Sequence, residues 1–192
     1  MVVGPGEGAM QRETLRILAV LVILAVSSAG CRGGGETSCA DGGTCTGGSF
    51  TANLTGEGGA AIDSFAGKAC QCLIGDAATG DWSLGLVDTN GVDAIVIGRE
   101  IGGRPRLGTT PLLASASGHS ELALRARLSF SAGLWTCSTG SDGALVASVA
   151  SDDAVNGTFS VGVLCTLPGG QAGGGLLTAT FQAVKGPVTT IP

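Results

Sequence analysis

Apolar and polar residues alternate along most of the second half of the chain. Within 121–130, Leu122, Leu124, Ala126, Leu128 and Phe130 fall on one side, and Glu121, Ala123, Arg125, Arg127 and Ser129 on the other. A helical register would set arginines inside the apolar stripe, so the spacing predicts a strand. Residues 155–167 repeat the pattern, with Val155, Phe159, Val161, Val163, Cys165 and Leu167 on the apolar side. Residues 175–184 follow a Gly-rich stretch at 168–174, and the two segments read as a long hairpin. Further strands are expected at 49–55, 68–74, 81–87, 92–98, 109–116, 132–138 and 143–150. Turn signals separate them: Thr89-Asn90-Gly91, Gly102-Gly103-Arg104-Pro105, Ser117-Gly118-His119-Ser120 and Gly140-Ser141-Asp142-Gly143. Only 59–67 reads as a helical turn or two. Strands at near-regular intervals predict an all-β fold, an antiparallel sandwich or barrel of about 8–10 short strands.

The N-terminal third has a different pattern. From Met10 the chain carries Arg12 and Arg16, then runs from 17 to 26 without a polar residue, and leaves through Ser27-Ser28-Ala29-Gly30-Cys31. A basic start, an apolar centre and a small-residue exit are the three regions of a secretory signal. As a helix, 17–30 would reach roughly 21 Å, too little for a hydrocarbon core of about 30 Å. Residues 1–9 fit no region of such a signal, and Met10 reads as the start. The sequence is thus divided into a leader at 1–30, a Gly-rich tether at 31–48, an all-β domain at 49–188 and a tail at 189–192.

Ser28-Ala29-Gly30-Cys31 resembles the lipobox of bacterial lipoproteins. The resemblance implies cleavage just before Cys31, a diacylglyceryl group on its sulfur and an acyl chain on its amine. Two or more chains hold a protein stably to a bilayer, at about 0.8 kcal/mol per buried CH₂. In that class an Asp directly after the Cys favours the inner membrane. Arg32 stands there instead, which implies the outer membrane of the cell envelope. The other reading of the leader is an ordinary secretory signal, with Cys31 in a disulfide. Further on, Asn156-Gly157-Thr158-Phe159 resembles the G-T-F strand of uncharacterised all-β domains of envelope lipoproteins, which bring no activity with them.

Seven cysteines stand at 31, 39, 45, 70, 72, 137 and 165. Lipidation of Cys31 would use the odd one and leave Cys39, Cys45, Cys70, Cys72, Cys137 and Cys165 for bridges, the default in an oxidising compartment. Cys70 and Cys72 flank one residue, roughly 6.8 Å apart on one face of a strand, so each needs a partner elsewhere. The favoured pairing is Cys137 with Cys165, with Cys39 and Cys45 reaching Cys70 and Cys72. A local Cys39–Cys45 loop is the alternative. A four-thiolate zinc site at Cys70, Cys72, Cys137 and Cys165 is disfavoured, because such sites usually carry C-x₂-C knuckles.

Composition removes several function classes. Ten Lys and Arg against fifteen Asp and Glu leave a net charge of −5, without the basic footprint that nucleic acid demands. The 35 glycines suit a turn-rich chain, while 44% hydrophobic residues argue against disorder. One His and no Tyr leave few groups for acid–base work. His119 stands beside Ser117 and Ser120, but no G-x-S-x-G elbow occurs, and two serines in a turn are expected from turn chemistry alone. Gly56-Glu57-Gly58-Gly59-Ala60-Ala61 matches G-x-G-x-x-A, but no room follows for the helix a dinucleotide fold needs. Asp152-Asp153 and Asp142 lack the spacing of a calcium loop.

Weak binding candidates remain. Trp82 and Trp135 are either core aromatics or platforms for a sugar. Arg99, Arg104 and Arg106 cluster about Gly102-Gly103 as a solvated loop or an anion-binding corner. The expectation is a lipid-anchored envelope protein of structural or interaction type. It includes no catalysis, metal or cofactor, and attaches to the membrane through lipid on Cys31. A glycan- or small-ligand-binding module is the alternative, with a protein or glycan partner unidentified.

Overall fold

The computed structural model describes residues 45–114, 120–130, 133–167 and 169–188. Nine strands form: β1 (Ser49–Gly56), β2 (Ala61–Ile74), β3 (Asp81–Asp88), β4 (Ala94–Arg99), β5 (Gly108–Leu112), β6 (Ala123–Phe130), β7 (Gly133–Ala150), β8 (Ala154–Thr166) and β9 (Ala172–Lys185). Eight close a ring in the order β7, β6, β4, β3, β2, β1, β9, β8 and back to β7. The fold is therefore a closed antiparallel barrel, within the all-β class that the periodicity predicts. β1 begins late, and below its start β2 and β9 meet directly in parallel, with Cys70 opposite Val184 and Gln71 opposite Lys185.

β5 is the ninth strand and lies outside the ring order. β6 pairs with β7 only through Ser138, and β5 takes up the same edge of β7 from Gly143 to Ala147. The long strand β7 thus replaces the two strands expected at 132–138 and 143–150. Its ladder to β8 shifts register between Thr139 and Ser141 and again between Ser141 and Ala144. The Gly140–Gly143 turn signal is spent on bulges, which bend a strand without ending it.

The 59–67 segment also differs from expectation. A 3-10 turn occupies Glu57–Gly59, and β2 has begun by Ala61. Phe65 sits opposite Ala52 of β1 and stacks edge-on against Phe50 at 5.9 Å, so barrel packing outweighs any local helical tendency. The G-x-G-x-x-A stretch is simply this β1–β2 hairpin, with Gly58 and Gly59 in the left-handed region.

Pleat alternation fills the interior. Cross-strand neighbours share a face, and the inward rows hold Phe50, Leu84, Leu86, Ile95, Ile97, Leu124, Phe159, Leu177 and Phe181, all buried. The outward rows of β1, β9 and β8 hold Thr51, Asn53, Thr178, Thr180, Thr158 and Ser160. Close strand approach has its own requirement at Gly67, where a Cβ would overlap the Val87 carbonyl oxygen.

The disulfides lock both sides of the wall. Cys137 and Cys165 stand directly opposite on β7 and β8 and are bonded to one another. Cys45 is bonded to Cys70, which excludes the local Cys39–Cys45 loop. Cys72 is disulfide-bonded as well, to a partner outside the described residues. The zinc alternative is thereby overturned at all four of its cysteines. The expected flexible tether also ends earlier than 48: Cys45 is buried, and the Gly47 carbonyl accepts the Ala69 N–H. Cys31 and Cys39 lie outside the described residues.

One carboxylate is held at the end of the barrel opposite the cleft described below. Asp93 is buried and accepts the Ser129 N–H at 2.6 Å. Burial raises its pKa above the ordinary 3.8; the Ser129 hydrogen bond opposes the shift, Asp88 and Asp63 add to it, and Arg127 opposes it. A raised folded-state pKa contributes stability that is full below the ordinary value and is lost as pH rises through the raised one. Asp93→Asn keeps an acceptor for Ser129 and removes that loss. The variant is expected to gain on the parent as pH rises from about 4 towards 7, read by urea denaturation across that range. A stability difference that does not change with pH would contradict the assignment.

Candidate functional site

One end of the barrel carries the loops 75–80, 100–107 and 151–153. The first two are laced together: Gly102 N–H reaches the Thr79 and Gly80 carbonyls at 3.2 Å, and Gly103 N–H reaches the Gly80 carbonyl at 2.7 Å. Gly103 adopts φ +62°, and a Cβ there would overlap the Ala77 carbonyl, so this loop needs the glycine. Ile101 holds φ +53°, a left-handed conformation that costs a β-branched residue about 1–2 kcal/mol. Its N–H donates to the Asp81 carboxylate at 3.1 Å, which offsets part of that strain.

These loops and the start of β5 enclose an open cleft of about 790 Å³. Arg99, Arg104 and Arg106 line it together with Asp76, Thr109, Thr110 and the apolar Pro105, Leu107 and Pro111. Their positions differ in kind. Arg104 forms an ion pair with Asp152, from the β7–β8 turn. Arg99 is half-buried at the end of β4, and its Nε and Nη2 donate to the Gly103 and Arg104 carbonyls at 2.7 and 3.0 Å. Arg106 is exposed and makes no ion pair or side-chain hydrogen bond among the described residues. Burial lowers the Arg99 pKa below the ordinary guanidinium value, and the nearby positive charge of Arg106 lowers it further. Arg99 remains a cation at any physiological pH.

The same end of the barrel holds a hydrogen-bonded plug. Gln71 is 1% exposed; its Nε2 donates to the Ser151 and Asp152 carbonyls at 2.9 and 3.2 Å. Its Oε1 accepts the Trp82 indole N–H at 2.9 Å, and its main-chain carbonyl accepts the Gly186 N–H at 3.0 Å. The β2 strand, the β7–β8 turn and the chain after β9 are thereby tied across the base of the barrel.

The structure brings Arg104 and Arg106 into one cleft and leaves the two tryptophans elsewhere. Trp82 is a correction to the platform reading: at 1% exposure, with its N–H held by Gln71, it presents no face to a sugar. Trp135 is half-buried, meets Phe130 edge-on at 5.9 Å, and its Nε1 has no hydrogen-bond partner among the described residues. Asp142 accepts the Ala114 N–H at 2.8 Å while Asp152 serves Arg104, so the suggested calcium ligands have separate partners. His119 lies outside the described residues. Sequence reasoning saw the Arg cluster but missed Gln71, a polar residue between two cysteines with no pattern of its own.

What the cleft can do chemically follows from two guanidiniums, Arg99 and Arg106, that have no ion pair among the described residues, beside an apolar wall. Guanidinium forks bind carboxylates and phosphates through paired charge-assisted hydrogen bonds. Compared with protein-family models, with curated proteins and with solved structures, the chain finds no match.

Proposed function

We propose that the protein is a lipid-anchored module of the bacterial cell envelope, attached through Cys31, that acts by binding a partner and not by catalysis. The observation that carries this reading is the state of its cysteines. Those at 45, 70, 72, 137 and 165 are all disulfide-bonded, as expected of a chain exported to an oxidising compartment. With the partner of Cys72 they account for six of the seven, and lipidation accounts for the odd one.

The barrel supports the binding half of the reading. Its interior is filled with side chains, so a ligand has to be met on the outer surface, and the arginine cleft is a charged concave place for it there. Intact-mass and N-terminal peptide mass spectrometry of the protein from a bacterial membrane fraction tests the anchor. The expected product begins at Cys31 and carries the mass of a diacylglyceryl group plus an acyl chain. Cys31→Ser should leave the chain uncleaved and unlipidated. A mature chain that begins at an unmodified residue overturns the anchor.

A further inference from the structure

We propose that the cleft binds a small organic carboxylate, its oxyanion held between Arg99 and Arg106 and its apolar body against Pro105, Leu107 and Pro111. The inference rests on the binding half of the reading above and is independent of the lipid anchor.

Charge placement is the first support. The chain carries five more acidic than basic residues, yet among the described residues no carboxylate is paired with Arg99. The charge felt there is that of Arg106, another cation. Arg104 is neutralised by Asp152, and the Asp76 carboxylate, also on the cleft wall, is engaged by the Ala78 N–H at 2.6 Å. Two like charges on one cleft lining are complementary to an anion, which neither has among the described residues.

Preorganisation is the second support. The Gly103 and Arg104 carbonyls fix one edge of the Arg99 guanidinium and leave Nη1 without a partner among the described residues. The backbone that presents those carbonyls is itself pinned to the Thr79 and Gly80 carbonyls. A donor oriented before binding loses little freedom when the ligand arrives.

The apolar wall decides between oxyanions. Leu107 is 68% exposed and stands with the exposed Pro111 and the buried Pro105 on the cleft lining. Inorganic phosphate would leave that wall wet, whereas a carboxylate on an apolar body covers it. Thr109 and Thr110 add hydroxyl groups at the same lining.

The test is calorimetric titration of the purified full-length protein in detergent with benzoate and, separately, with inorganic phosphate, at constant ionic strength. Saturable benzoate binding is expected, weakened about tenfold or more by Arg106→Ala. Arg125→Ala, on β6 and outside the cleft lining, should leave it unchanged. Because Arg106 is exposed and bonds to nothing described, its variant should keep the parent's melting temperature. Absence of saturation, or saturation that Arg106→Ala does not weaken, overturns the site. Phosphate binding as tight as benzoate overturns the carboxylate assignment.

Discussion

Gln71→Leu is expected to destabilise the barrel by about 2–4 kcal/mol, a fall in melting temperature of about 5–15 °C for a domain of this size. Leucine matches the volume but leaves the buried Trp82 N–H without an acceptor and the Ser151 and Asp152 carbonyls without their donor. The indole carries most of the penalty, since it is buried while residues 151 and 152 are partly open to water. Pairing the change with Trp82→Phe removes the stranded N–H. The double variant should therefore lose about 1 kcal/mol less than the two single losses together. Urea denaturation of the four proteins closes the cycle. Strict additivity would show that Gln71 and Trp82 do not depend on one another.

The second large effect is expected from Cys137→Ala with Cys165→Ala. The bridge spans 28 residues and closes the β7–β8 hairpin from inside the wall. Chain entropy for a loop of that length corresponds to about 3–4 kcal/mol, and the small voids left by two buried sulfurs add to it. Equilibrium unfolding without reductant should show a loss of about 3–5 kcal/mol. A loss under 1 kcal/mol would mean that the ladder between β7 and β8 already restrains the unfolded chain. The Cys45–Cys70 bridge, over 25 residues, should be worth a similar amount. Its removal should also release residues 45–48, seen as faster amide exchange at Ala69, whose N–H is held by the Gly47 carbonyl.

Much of this architecture was legible because a pleated strand writes its two faces into the sequence with a period of two. The row from Leu122 to Phe130 and the 155–184 hairpin are the clearest cases, and both stand in the barrel as the alternation predicts. The reach of Cys70 away from Cys72 was legible for the same reason, since neither could bond to its neighbour. Local reading failed where a residue obeyed a distant partner. Gly140-Ser141-Asp142-Gly143 has the composition of a turn, yet β8 on one side and β5 on the other draw β7 straight through it. Phe65 lies in a segment with weak local preference, and Phe50 across the ladder decides its state.

The candidate site shows the same division. Three arginines around two glycines are visible in the chain, but their roles are not. Asp152, 48 residues from Arg104, neutralises one of the three. The carbonyls of a tight loop orient the second, and the third is left open. By itself the sequence determined the strand periodicity and the filled apolar face, because each follows from chemistry within a strand; it favoured the pairing of Cys137 with Cys165, which the β7–β8 ladder then fixed. Only the tertiary structure decided the closure of the ring, the insertion of β5, the plug at Gln71 and the charge left over in the cleft. Each of these depends on which strands meet and in what register, and that is set by contacts between residues far apart in the chain.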